Sequence, residues 1–165
     1  MNQSNRREAL IRSVETYFEA CNTACRNTFE AVLAPSCTHY FPPGVGGPYP
    51  DRESIVQLWA NCVRDFGSTW SIDRLVCDEV ADSVVVEWTH WKPKIGEHIR
   101  GSEWYTFDSE ARITSIWAHY ASPRDAARPA NELEGFPYAR LGYQMLPPEA
   151  PRTESRKVLE REGRS

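Results

Sequence analysis

The chain lacks most of what would send it to a membrane, a disulfide scaffold or a nucleic acid. No apolar run approaches the roughly 20 residues needed to cross a bilayer. The opening MNQSNRREALIRS has no apolar stretch of the secretory kind, so a cytoplasmic location is expected. Positive charge is not in excess: 19 Lys and Arg stand against 23 Asp and Glu, a formal net charge of -4. Binding to a phosphate backbone rests on clustered basic residues, so no nucleic-acid partner is expected. The five cysteines, Cys21, Cys25, Cys37, Cys62 and Cys77, form no C-x-x-C, and an odd count suits reduced thiols better than a disulfide framework. Cys21 and Cys25 lie one helical turn apart and read as small apolar helix-face residues. No H-x-H or H-x-x-x-H spacing occurs, and the glycine-rich stretch from Pro42 to Pro50 is not followed by Gly-Lys-Ser/Thr. Neither a metal nor a cofactor is therefore expected, and the glycines read as a shaped rim rather than a phosphate cradle. There is no internal repeat.

Aromatic side chains are what the chain has in plenty: 12% of its 165 residues, with six Trp. Such residues bury large areas and line ligand pockets. The length suits one domain, assigned to residues 1–146. Residues 147–165, PPEAPRTESRKVLEREGRS, are charged and poor in large apolar residues, the signature of a mobile tail.

Apolar residues at Leu10, Val14, Tyr17, Phe18 and Cys21 recur at helical spacing, and a second set, Cys25, Phe29, Val32 and Leu33, is stopped by Pro35. Thr38 to Phe41 reads as a short strand ending in the Pro/Gly loop. Asp51 is placed to cap a third helix with the face Ile55, Leu58, Trp59, Cys62, Val63 and Phe66, and Gly67 to close it. The period then changes to two in four runs, Thr69 to Cys77, Ser83 to Trp91, Glu97 to Phe107 and Ile113 to Ala121, which predict an antiparallel meander. Three helices followed by strands is the α+β pattern, with helices covering one sheet face. Residues 124–146 carry Phe136, Tyr138, Leu141, Tyr143 and Met145 and are read as a lid over a pocket mouth or a dimer extension.

This order of elements resembles the nuclear-transport-factor-like superfamily, which includes polyketide-cyclase-like, ketosteroid-isomerase-like and limonene-epoxide-hydrolase-like proteins. The residues that carry the resemblance lie between positions 7 and 121: Tyr17 to Asn22, Leu33-Ala34-Pro35, Gly47-Pro48 with Asp51 to Ile55, and Gly101 to Phe107 followed by Arg112-Ile113. It implies a cone-shaped α+β barrel, three N-terminal helices on a curved antiparallel sheet enclosing one apolar pocket. It places Tyr17 where ketosteroid isomerases carry an oxyanion-donating Tyr and Glu103 where they carry a protonated Asp. Phe41 falls where their general base stands. Against the epoxide hydrolases, Glu103 and His119 fall on the two catalytic carboxylates, and Gly101 replaces the bridging Arg.

Fold does not fix function here, so the candidates are weighed singly. Strand alternation puts Gly101, Glu103, Tyr105 and Phe107 on one face. Glu103 and His119 meet only if the last turn keeps an odd register; a four-residue turn at Asp108 to Ala111 brings Tyr120 to that face instead. A buried carboxylate beside an imidazole can exchange protons with a ligand. His39, on the face of Phe41, is a candidate to replace the missing base. The catalytic candidates are thus Glu103, His119, Tyr17 and His39. Phe41, Trp59, Trp88, His90, Tyr105 and Trp117 are the candidate ligand contacts. The expected activity is cofactor-independent acid/base chemistry on a small apolar or aromatic metabolite, as an isomerase, cyclase, dehydratase or epoxide hydrolase. The alternative is a non-catalytic binding or assembly protein of the same fold. Trp91 and Trp104, opposite the pocket set, predict a homodimer through the outer sheet face.

Overall fold

Helix α1 (Gln3–Thr23) turns Leu10, Val14, Tyr17, Phe18 and Cys21 into the core, as their spacing requires. The computed structural model describes residues 3–42, 45–120 and 137–148. Helix α2 (Arg26–Val32) buries Phe29 and Val32 beside α1. Asp51 caps α3 (Arg52–Phe66) through a reciprocal capping box with Ser54. Gly67 ends α3 at φ 66°, a left-handed conformation in which a Cβ is unwelcome. No helix among the described residues is long and apolar enough to cross a membrane.

Strands β1 (Leu33–Tyr40), β2 (Thr69–Asp78), β3 (Ser83–Lys92), β4 (Glu97–Phe107) and β5 (Ile113–His119) form one sheet in the order β1-β5-β4-β3-β2. The meander β2 to β5 is antiparallel. The expected all-antiparallel sheet is corrected at one edge, where β1 joins β5 in parallel. The first strand also begins earlier than the sequence suggests, at Leu33. Pro35 lies inside β1 and its missing N–H is tolerated because β1 is an edge strand whose register shifts between Leu33 and Thr38. The helices cover the inner face of the sheet, and Phe29, Leu33, Val84, Val86, Tyr105 and Ile116 fill the space between.

The outer face divides in two. Over β2, β3 and β4, residues 137–148 pack down: Arg100 lies under the rings of Tyr138 (4.4 Å) and Tyr143 (5.5 Å), and the Tyr143 hydroxyl donates to the Glu87 carboxylate at 2.7 Å. Arg100 donates to Thr89 Oγ1 at 2.7 Å, and Thr89 in turn donates to Asp73 at 2.6 Å. Trp91, expected to be exposed, is buried here and donates to Ser71. The described part of the expected lid therefore sits on the side away from the pocket; the rest of it, 124–136, and positions 149–165 of the tail lie outside the described residues. Over β1, β5 and β4 no element among the described residues covers the face. Tyr40, Trp117 and Trp104 are paired in register across three strands and are 46%, 41% and 43% exposed.

Candidate active site

A cavity of about 290 Å³ opens between α3, the rim loop and the inner sheet face. Phe41, Trp59, Trp70, Trp88 and Tyr120 wall it, and Glu103 is the one carboxylate among the described lining residues. Alternation along β3 puts Val86, Trp88, His90 and Lys92 on this side, and β4 adds Ile99 and Glu103. Gly101 stands between them because the Trp88 ring lies across it. A Cβ at that position would meet Trp88 Cζ2 at 2.7 Å and Tyr120 Cβ at 2.9 Å.

Glu103 is 5% exposed and held from two sides. The Tyr105 hydroxyl donates a short hydrogen bond to Oε2, and His39 Nε2 lies 3.3 Å from Oε1. That second contact is within ion-pair range but misaligned, so Nε2 makes no hydrogen bond among the described residues. On its other side His39 Nδ1 is 3.4 Å from the Tyr17 hydroxyl, which accepts from Trp59 Nε1 at 2.8 Å. An indole N–H only donates, so the Tyr17 hydrogen is available to Nδ1. That arrangement leaves the imidazole hydrogen on Nε2, facing Glu103. The His39 ring is fully buried, stacked on Phe41 with centroids 4.1 Å apart. Burial, more than the nearby Glu103, pushes the Tyr17 and Tyr105 hydroxyls well above their ordinary range, so both stay protonated donors. Tyr120 is pushed up to about 12 by burial and by Glu103. His90 donates to or accepts from Ser68 Oγ at 2.8 Å and stacks on Trp70. Burial first, and Lys92 second, hold its pKa well below the ordinary value, so the imidazole is neutral.

The sequence candidates fall into three groups. Glu103, Phe41, Trp59, Trp88 and His90 line the cavity. Tyr17, His39 and Tyr105 stand behind the wall, joined to Glu103 or to each other rather than open to the cavity. His119 and Trp117 are turned away. The last hairpin pairs Glu103 with Ala118 and Ser102 with His119, because the register shifts between Thr106 and Phe107. His119 and Trp117 are exposed, in a separate shallow hollow shared with Tyr40 and Pro42, and the expected Glu103–His119 pair does not form. Tyr120 takes the inward place. Trp70, Tyr49 and Lys92 also line the cavity and were missed. Trp70 was within reach of period-two reasoning, since it pairs with His90, whereas Tyr49 arrives through a bridge to His39 from an irregular loop. Among the described residues no set of three His, Cys, Asp or Glu could hold a metal.

Residues 14–116 match the SnoaL-like domain family. The chain belongs to this family. The chain is also similar, at 36% identity, to a protein of unknown function with a cystatin-like fold from Methylobium petroleophilum. That likeness covers 88% of this chain and 97% of the other, with a TM-score of 0.69. Two more distant structures share the fold. One is a Mycobacterium tuberculosis protein solved with estradiol-17beta-hemisuccinate, at 11% identity and TM-score 0.60, covering 68% of this chain and 94% of that one. The other is a putative polyketide cyclase from Sinorhizobium meliloti, at 15% identity and TM-score 0.56, covering 66% and 94%. No curated protein matches the chain. This SnoaL-like domain thus has the α+β cone fold, with an aromatic-walled cavity among its described residues.

Proposed function

We propose that the protein moves protons on a small apolar or aromatic molecule without a cofactor, with Glu103 as the group that exchanges them. The supporting observation is a single carboxylate among the described lining residues of a largely apolar and aromatic cavity, hydrogen-bonded by Tyr105 and approached by His39. Removal of water from such a cavity strengthens every electrostatic interaction inside it. Glu103 takes a proton from the ligand. The Tyr105 O–H steadies the carboxylate between transfers by a hydrogen bond, the His39 imidazole faces it from 3.3 Å without one, and Trp88 Nε1, buried and without a partner among the described residues, is free to donate to a developing oxyanion. Isomerisation, cyclisation and dehydration use such a step, epoxide opening has the same carboxylate take the proton from the attacking water instead, and the fold shared with a putative polyketide cyclase is consistent with this chemistry. The protein works in the cytoplasm as a homodimer, joined through the uncovered Tyr40, Trp117 and Trp104 face.

A reading as a binding protein is favoured by one feature, Phe41 at the position where the resemblance puts the general base. The base-promoted ring opening of nitrobenzisoxazole separates the two, since it needs only a positioned base and an apolar pocket. Wild-type protein should accelerate it, and Glu103→Gln should lower the rate by about a hundredfold. His119→Asn, on the other face, should change nothing. Equal rates for wild type and Glu103→Gln, with the probe bound by both, would leave storage of an unchanged ligand as the function.

A further inference from the structure

The cavity has two charged lining residues among those described, and they stand at opposite ends. Glu103 pairs with Val86 across β3 and β4; Lys92 lies further along β3, about 20 Å of extended strand away before side chains reach inwards. Lys92 Nζ sits 5.5 Å from the centre of the Phe66 ring, a favourable place for a cation. Among the described residues Lys92 enters no ion pair, and its cross-strand neighbour Glu97 is exposed. The imidazole between the two ends, His90, is neutral and committed to Ser68 and Trp70. The walls therefore carry a cation at one end, a carboxylate at the other and aromatic surface between.

Such a cavity sorts the two ends of a ligand. An anionic group would be repelled by Glu103 and drawn to Lys92, and a ring would lie against Trp59, Trp70 and Trp88. The volume, about 290 Å³, is near the small end of ligand pockets and suits one or two rings. We propose that the substrate is a small aromatic or alicyclic carboxylic acid, bound with its carboxylate on Lys92 and its reacting carbon at Glu103. The orientation follows from charge alone, while the reacting carbon rests on the reading of Glu103 as the proton-exchanging group.

Equilibrium binding tests the orientation without any turnover. The full chain is titrated with naphthylacetate and with naphthylacetamide, which differ in charge and little in shape, and the quenching of Trp fluorescence is followed. The acid should bind about tenfold more tightly than the amide or better. Lys92→Met should abolish that advantage and leave the amide within about twofold, whereas Lys92→Arg should keep it. Glu103→Gln should keep or enlarge the advantage, because it removes the repelling charge. Equal affinities in the wild type, or an advantage that survives Lys92→Met, overturn the proposal. An intact acid preference in a protein with no Glu103-dependent ring opening would overturn only the catalytic reading.

Discussion

His39 and Glu103 meet across a strand that separates them. They belong to β1 and β4, with β5 between, and lie two strand spacings apart and two residues out of register, so their backbones are about 12 Å apart. On β5, Ile116 stands opposite His39 and Ala118 opposite Glu103. Ala118 is paired with Glu103 and so shares its sheet face, beside the gap across which His39 Nε2 comes within 3.3 Å of Oε1. Ala118→Val should push the pair apart. The expected result is a loss of about tenfold in ring-opening rate, with an overpacking penalty of about 1–3 kcal/mol in urea melts. An unchanged rate would show that the pair does not position the base.

Tyr17 is predicted to matter more for stability than for rate. Its hydroxyl joins Trp59 Nε1 to His39 Nδ1 and does not line the cavity. Tyr17→Phe leaves two buried groups without that partner, which costs about 1–3 kcal/mol. Chemical denaturation measures this directly. The rate should fall by less than about tenfold, far short of the loss in Glu103→Gln; a loss as large as that one would make Tyr17 a direct participant.

Stability should fall on mild acidification, with His90 as a cause. Its folded pKa is depressed below 6.5, chiefly by burial. Above that value both folded and unfolded chains hold it neutral, and its contribution is fully present. As pH falls towards the folded pKa, only the unfolded chain takes the proton, and stability is lost by up to about 1.4 kcal/mol per pH unit. Asp73, raised by burial, acts in the opposite sense in the lower carboxylate range. Urea melts at about pH 7.5 and about pH 5.5 should show a drop that His90→Gln reduces by about 1 kcal/mol. An identical drop in both proteins would place the titration elsewhere.

The uncovered aromatic face should hold the homodimer. Light scattering at micromolar concentration should give a dimer for the wild type. Trp104→Glu with Trp117→Glu should give a monomer, because each paired indole would be replaced by a charge at the interface centre. Ligand affinity should stay the same, since neither residue lines the cavity. A wild-type monomer would leave the exposed row unexplained.

Much of the fold was legible because its signals are local. The Asp51 cap, the Gly67 stop and the α3 face are each decided within a few residues, and the strands follow from alternation. What sequence could not settle was register and docking. Glu103 faces Ala118 rather than His119 because of one shift near Phe107, and a one-residue slip reverses every side chain on β5. The burial of Trp91 depends on residues 137–148 folding back onto the sheet, a contact between distant parts of the chain that periodicity does not encode. Lys92 falls one residue beyond the predicted strand and was not weighed, although it continues the inward series Val86, Trp88 and His90.

Gly101 restricts the routes by which this pocket can change its chemistry. The resemblance to epoxide hydrolases puts a bridging Arg at this position, but the smallest side chain here would already strike the Trp88 indole and the Tyr120 backbone-proximal carbon. An Arg therefore cannot be tried alone: Trp88 must first be trimmed and the end of β5 moved. Each of those steps, taken singly, opens a void in the wall or strains a packed sheet. The Arg-bridged arrangement is separated from the present wall by a valley that single substitutions do not cross, and an engineer seeking it would need to change positions 88, 101 and 120 together.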